Sequence, residues 1–252
     1  MLIKVYEKSK RAESCRDIIA ASPLVMKFSE IIILPIPTTR DGVHISGSTD
    51  VLSEVMSSLG EGSLAVGYAI PEDVRLDAEG RGASVCDVGL VGDFLGENAE
   101  LTATGALGII LTSLASAPSD VKFGIVGLGR IGRSLLDKLL FLGARVRVYT
   151  TRSAVRRELG SLGIESEICS AECRLSDIDV LINTAPSPLL RENGELAAVP
   201  RIIELASGEN FGSVPTERYP GIPARLYPES AGRLIAESVL SYISSHGGKN
   251  AI

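Results

Sequence analysis

The hexapeptide Gly127-Leu128-Gly129-Arg130-Ile131-Gly132 follows the apolar run KFGIV at 122–126 and leads into a segment with helical periodicity reaching about residue 142. Glycines at these three places in a strand-to-helix turn answer three physical demands. Gly127 permits the tight turn, Gly129 lets the backbone come close to a pyrophosphate, and Gly132 lets the helix pack against the sheet. The N–H groups that a helix leaves unpaired at its start, here around Arg130 and Ile131, then present the positive end of the helix dipole to phosphates. A tight turn with no ligand is the alternative. The flanking apolar strand and the amphipathic helix expected from Arg133 onward favour binding.

Cofactor choice is read at the end of the next strand, about 20 residues on, where NAD enzymes commonly place an acidic residue against the ribose hydroxyls. This chain has Tyr149-Thr150-Thr151-Arg152-Ser153 there and no acidic residue. A guanidinium with hydroxyl neighbours suits a 2′-phosphate, so the expected cofactor is NADP(H), with NAD(H) as the alternative. Arg152 could instead cap the next helix or simply be exposed. Two further loops, Asn183-Thr184-Ala185-Pro186-Ser187 and Ala206-Ser207-Gly208-Glu209-Asn210, each follow a strand-like run. Ligands of open α/β sheets bind beyond the carboxyl ends of strands, which makes Asn183, Thr184, Ala185, Pro186 and Ser207 candidates for the nicotinamide end. Thr184 and Ser207 could equally satisfy loop backbone.

Hydride transfer also needs a group to orient an anionic substrate and another to handle a proton. The loop Thr38-Thr39-Arg40-Asp41-Gly42, with His44 just beyond, follows the apolar run IIILPI at 31–36. Arg40 could clamp a carboxylate and His44 could act as acid or base near neutral pH, with Asp41 beside them. A solvated loop holding an incidental histidine is the plainer reading. His246 lies in a glycine-rich tail and is set aside. The four cysteines, Cys15, Cys86, Cys169 and Cys173, suggest neither a disulfide framework nor a zinc site, so no metal is expected.

With 252 residues, 45% hydrophobic and 22% charged, the chain has the ordinary balance of a globular protein large enough for a sizeable core. A net charge of −6 argues against a surface built for nucleic acid or anionic lipid. No apolar run approaches the ~18–20 residues needed to span a bilayer. The opening MLIKVYEKSK has no long apolar core, so a cytoplasmic location is expected.

The elements that must hold these loops alternate as in an α/β protein. Strands are expected at 2–6, 31–36, 63–68, 83–86, 122–126, 145–149, 165–168, 180–183 and 202–205, with 224–227 as a further candidate. Helices are expected at 11–21, 53–59, 101–117, 153–161, 191–197 and 230–244, and the Gly-rich polar stretch 72–82 reads as loop. Residues 1–100 then form a smaller N-terminal α/β, substrate-side domain, and 101–118 an interdomain helix. Residues 119–228 form a C-terminal Rossmann-type, doubly wound parallel sheet, and 229–252 a last helix returning toward the N-terminal domain.

In this order, the segments GIVGLGRIGRSLLDKLLFLGARVRVYTTRS, DIDVLINTAPSPLL, RIIELASG and PESAGRLIAESV resemble the A subunit of dipicolinate synthase. So do IIILPIPTTRDG and NAELTATGALGIIL nearer the N-terminus. Single pieces, the glycine motif above all, are shared with 2-hydroxyacid dehydrogenases. The resemblance implies a two-domain, NADP-using oxidoreductase subunit that converts dihydrodipicolinate to the spore compound dipicolinate beside a flavoprotein B subunit. Three departures lie on the substrate side: a glycine-free turn at 6–16, Thr104 where the family has an acidic residue, and a shortened loop with Glu229 in place of the usual Lys. A dehydrogenase of the 2-hydroxyacid type and a non-catalytic nucleotide-binding regulator are therefore the competing readings. A homodimer is expected from the small-residue helix and the last helix.

Overall fold

The structure is a computed structural model that describes residues 1–208 and 210–246. It divides into two units, Met1–Asn98 together with the chain from Pro223 onward, and Ala99–Ile222.

The first unit begins with β1 (Leu2–Val5), α1 (Lys10–Ala21), β2 (Glu30–Ile33), α2 (Leu52–Ser57), β3 (Ser63–Gly67), α3 (Glu72–Gly80) and β4 (Ser84–Asp87). The strands form one parallel sheet in the order β1-β2-β3-β4. Every residue of β3 is buried, which is why the run SLAVG shows no alternation. Ile32, Leu34, Leu52, Met56, Ala65 and Val85 close a core under α2 and α3. The turn from β1 to α1 is made without glycine: Ser9 caps α1 from an extended conformation, its Oγ accepting from Ala12 N at 3.2 Å.

The stretch 72–82 is not a loop but mostly α3, a correction to the sequence reading. Glu72 and Asp73 stand in its first turn, favourable to the helix dipole, while Val74 and Ala78, four apart, pack on the core. Only Gly82, at φ 88°, serves a turn. The helix expected at 101–117 is α4 (Phe94–Thr112), which starts a turn or more earlier and stops before the short 3₁₀ turn Pro118–Asp120.

The second unit carries β5 (Lys122–Val126), α5 (Arg130–Phe141), β6 (Arg145–Thr150), α6 (Ser153–Ser161), β7 (Glu165–Ile168), β8 (Val180–Asn183), β9 (Arg201–Glu204) and β10 (Glu217–Arg218). All six strands are parallel, in the order β10-β9-β8-β5-β6-β7, the doubly wound arrangement in which the chain reverses direction across the sheet between β5 and β8. Leu135, Leu136 and Leu139 of α5 press on Phe123, Ile125, Val146 and Val148. Gly143, at φ 74°, ends that helix in the left-handed conformation expected of it.

Two further segments differ from the sequence expectation. The segment 191–197 is turns plus one 3₁₀ turn, Leu196–Ala198, because Asn193 spends its amide on Cys173 O and its Oδ1 on Glu195 N. The candidate strand at 224–227 is helical: α7 (Ile222–Leu226) leads into α8 (Pro228–His246), and β10 is the sheet's last strand. In the first unit α8 lies directly on α1; a Cβ at Gly232 would sit 2.5 Å from the Arg11 carbonyl oxygen. Residues 247–252 of the expected tail lie outside the described residues, but His246 itself closes α8, stacked on Tyr242 at 4.4 Å between ring centroids.

A charge network braces the amino-terminal side of the second sheet. Arg147, 2% exposed, donates to both Asp177 oxygens (2.6 and 2.9 Å) and to Glu165 (3.0 Å), and Lys122 reaches the same two carboxylates. Arg147 chiefly holds the Asp177 carboxyl well below the usual carboxylate range, and Lys122 with Arg147 lowers Glu165. Carboxylates with depressed folded-state pKa values stabilise the fold above their unfolded values, and that stabilisation is lost as pH falls below about 4. Arg147→Met is expected to lower stability by about 2 kcal/mol at pH 7, less than the ~3–5 for a fully buried pair because Asp177 and Glu165 can hydrate. The loss should shrink between about pH 4 and pH 2 in urea melts. A loss independent of pH would mean that packing alone is at stake.

Candidate functional site

The glycine turn stands where the second sheet reverses. β5 runs straight into Gly127, whose N–H donates to Tyr149 O at 2.8 Å. Gly127 has φ 84°, and a Cβ there would approach Ala185 Cβ to 2.9 Å. Thr184 clamps the same turn from β8: its N–H donates to Val126 O at 2.9 Å, and its hydroxyl lies 3.1 and 3.0 Å from the carbonyl oxygens of Val126 and Gly127.

α5 begins at Arg130, three residues before the sequence suggested, with Gly129 as its N-cap. Gly132 therefore lies in the first helical turn, where a Cβ would be 2.4 Å from Gly127 O. The first helical bond is Arg133 N to Gly129 O at 2.9 Å, so the N–H groups of Arg130, Ile131 and Gly132 precede it and point out of the helix start. At Gly129 the space is open: a Cβ would meet nothing within 4 Å. Two of the glycines are thus required by contact, whereas the third borders open space.

Arg152 completes this surface. Its Nη2 donates to Leu128 O at 2.9 Å, bringing the guanidinium to the glycine turn from the end of β6, and its own N–H is held by Thr150 Oγ1 at 3.2 Å. Thr151, Arg152 and Ser153 are all exposed. Arg133 is matched by Glu158 at 2.8 Å, whereas among the described residues Arg130 and Arg152 form no ion pair. The backbone donors at the helix start and the guanidinium at the tip of β6, whose charge also reaches Glu158, could hold phosphate groups.

Not every expected contact faces outward. Asn183 is buried, and its side chain is fully used internally, by Ala185 and by Glu204 at 2.8 Å, so it does not present itself to a ligand. Thr184 serves the backbone of the glycine turn rather than its own loop. Ser207 is exposed; its neighbour Glu209 lies outside the described residues. The sequence reading missed Glu204, the buried partner of Asn183, and Asn210 beside it. The signal for Glu204 was a lone acidic residue inside the apolar run RIIEL.

The first unit brings Asp41 and His44 together. Asp41 Oδ2 meets His44 Nδ1 at 2.8 Å, and its Oδ1 accepts from the N–H groups of Val43 and His44 at 2.9 and 2.8 Å. The His44 side chain, then these backbone bonds, holds the Asp41 carboxyl well below its usual range. Arg40, Asp41 and His44 line an open cleft of about 420 Å³ together with Ser46 and Ser48. The loop is pinned by antiparallel bridges Thr39–Ile45 and His44–Val51 and by buried Thr38, which receives Tyr68 N at 2.9 Å.

All four cysteines are free, and burial pushes the thiols of Cys15, Cys86 and Cys169 up to about 12. Cys169 and Cys173 flank a turn, Cys173 N meeting Ser170 O at 3.4 Å. Among the described residues there is no cluster of three or more metal-ligating side chains, and no helix long and apolar enough to cross a membrane.

Comparison with solved structures returns this same architecture over nearly the whole chain. The dipicolinate synthase A subunit from Bacillus halodurans superposes with a TM-score of 0.74 at 20% identity, covering 96% of this chain and 97% of that one. The fold is that of the dipicolinate synthase A subunit. The corresponding dipicolinate synthase chain from Bacillus subtilis gives a TM-score of 0.72 at 20% identity, with 97% and 96% covered. D-lactate dehydrogenase from Escherichia coli shares the fold more distantly, with a TM-score of 0.60 at 16% identity over 99% and 98% of the chains. No family model matches the sequence, and no curated protein does. Two parallel sheets of Rossmann type are thus the fold this chain shares with these proteins.

Proposed function

We propose that the chain is an NADP(H)-dependent oxidoreductase subunit of the dipicolinate synthase A type and works on a small carboxylate substrate. The observation that supports this most directly is the Arg152 guanidinium, 2.9 Å from Leu128 O in the glycine turn, on a strand tip, 149–153, whose sequence has no acidic residue. The N–H groups of Arg130, Ile131 and Gly132 would hold the pyrophosphate. Thr151, Arg152 and Ser153 would hold the 2′-phosphate, and the loops at Thr184-Ala185-Pro186 and Ser207 the nicotinamide end. When bound, the cofactor supplies the hydride acceptor or donor. In the first unit Arg40 would pair with a substrate carboxylate and His44, oriented through Nδ1 by Asp41, would exchange the proton at Nε2. Oxidation of dihydrodipicolinate to dipicolinate, which removes one hydride and one proton, is the reaction the resemblance favours. It would run in the cytoplasm of a spore-forming cell, beside a flavoprotein B subunit, with the chain as a homodimer.

Arg152→Ala tests the cofactor assignment. A charge-assisted pair at an exposed phosphate contributes ~1.5–3 kcal/mol, so NADPH affinity should fall about 10- to 100-fold. NADH affinity should change less than about twofold, since NADH has no 2′-phosphate to lose. Fluorescence titration of both nucleotides checks this; an equal loss for both would assign Arg152 to the turn alone.

A further inference from the structure

Glu204 ends β9 and is 2% exposed. Burial raises its carboxyl above the ordinary glutamate value, against the opposing pull of its hydrogen-bond donors and of the Arg218 charge. A buried carboxyl group in this position is costly unless its lone pairs are met by donors. Three donors meet it, one from the end of β8 and two from the chain after β9. Asn183 Nδ2 (2.8 Å) and Ala206 N (3.0 Å) reach Oε1, and Asn210 Nδ2 (2.9 Å) reaches Oε2. Asn183 passes the constraint on, accepting Ala185 N at 3.1 Å and donating to Ala185 O at 2.9 Å. Ala185 is in turn the residue against which Gly127 is packed. One carboxyl group therefore ties together the chain leaving β8 and the chain leaving β9, on the side of the chain reversal away from Arg152.

We propose that Glu204 is a positioning residue for the nicotinamide half of the dinucleotide site, holding the chain at 184–186 and 206–208 in the arrangement that receives it. The proposal rests on the dinucleotide reading given above. In an open parallel sheet the second half of a dinucleotide lies beyond the carboxyl ends of the strands past the reversal, here β8 and β9. Loops already ordered there do not have to be ordered on binding, which strengthens binding of that half alone. Glu204 reaches the glycine turn only indirectly, through Asn183 and Ala185, and Thr184 clamps that turn by its own hydrogen bonds, so the adenosine half should respond to Glu204 much less than the nicotinamide half.

The experiment compares NADPH with 2′-phospho-ADP-ribose, which keeps the adenosine, the 2′-phosphate and the pyrophosphate and lacks nicotinamide. Affinities are measured calorimetrically for the wild type, Glu204→Gln and Asn210→Ala. In Glu204→Gln one donor is left facing an amide N–H, and NADPH affinity should fall about tenfold. The 2′-phospho-ADP-ribose affinity should stay within about twofold, which also reports that the variant is folded. Asn210→Ala removes one donor from the chain after β9 and should show the same selective loss at about three- to fivefold; it decides alone if Glu204→Gln does not fold. Equal losses on both ligands, or none on either, would overturn the positioning role while leaving the dinucleotide site standing. A wild type that binds neither ligand would overturn both.

Discussion

Replacing Gly129 by aspartate should abolish dinucleotide binding without weakening the fold. A Cβ at Gly129 meets no atom within 4 Å and the residue has φ −83°, so the backbone accepts a side chain there without strain. The melting temperature should shift by less than about 2 °C. The new carboxylate would, however, occupy the space in front of the N–H groups of Arg130, Ile131 and Gly132 and bring a negative charge to where the pyrophosphate is proposed to lie. Two like charges about 4 Å apart at a protein surface repel by ~4 kcal/mol, so NADPH affinity should fall by about 100-fold or more. Calorimetric titration beside a thermal melt reads both halves of this prediction. Retained binding would mean that the open space at Gly129 does not face the cofactor.

Gly132→Val should do the reverse, damaging the fold before any ligand is added. Its Cβ would be 2.4 Å from Gly127 O and 3.0 Å from Thr184 Oγ1. The first contact is backbone and cannot swing aside; relieving it means lifting α5 off the turn that Thr184 clamps. Overpacking at such a site costs ~1–3 kcal/mol and occasionally more, and here the backbone contact places the expected loss at about 3 kcal/mol or above. Denaturant melts should show a lower midpoint, with NADPH binding lost in the fraction that remains folded. Near-wild-type stability would show that the helix start can shift at little cost. The contrast between Gly129 and Gly132 would separate room for the proposed ligand from contact with the glycine turn.

Much of this site was legible in the sequence because the three glycines answer to local geometry. The strand before them, the helix after them and the Arg-bearing strand tip are set within about thirty residues, and helix and strand periodicities carry that far. The start of α5 was placed late because Gly132 reads as a loop residue, although its role requires it inside the first turn. The helix α3 was hidden by Gly80 and Gly82, whose positions at and beyond its end look like a loop throughout. What decides α3 is the packing of Val74 and Ala78 on the core, a tertiary fact.

The Glu204 network was invisible for a different reason. Asn183, Glu204 and Asn210 are separated by 21 and 6 residues and meet only because β8 and β9 are neighbours, a pairing that spacing does not encode. The same applies to Arg147, which alternates with valines as an exposed residue would and is instead buried among carboxylates contributed by β7 and the chain before β8. In the first unit the sequence placed Arg40, Asp41 and His44 in one loop, but only the fold shows Asp41 binding the His44 ring and backbone while Arg40 stays exposed.

Everything proposed for the second unit depends on its holding NADP(H), and calorimetric titration of the purified wild-type chain with NADPH and NADH asks that question most directly. Saturable binding of NADPH is expected, with an affinity about tenfold or more above that for NADH, as one well-held phosphate would give. Failure of both nucleotides to bind at millimolar concentration would contradict the assignment and leave the glycine turn a structural one.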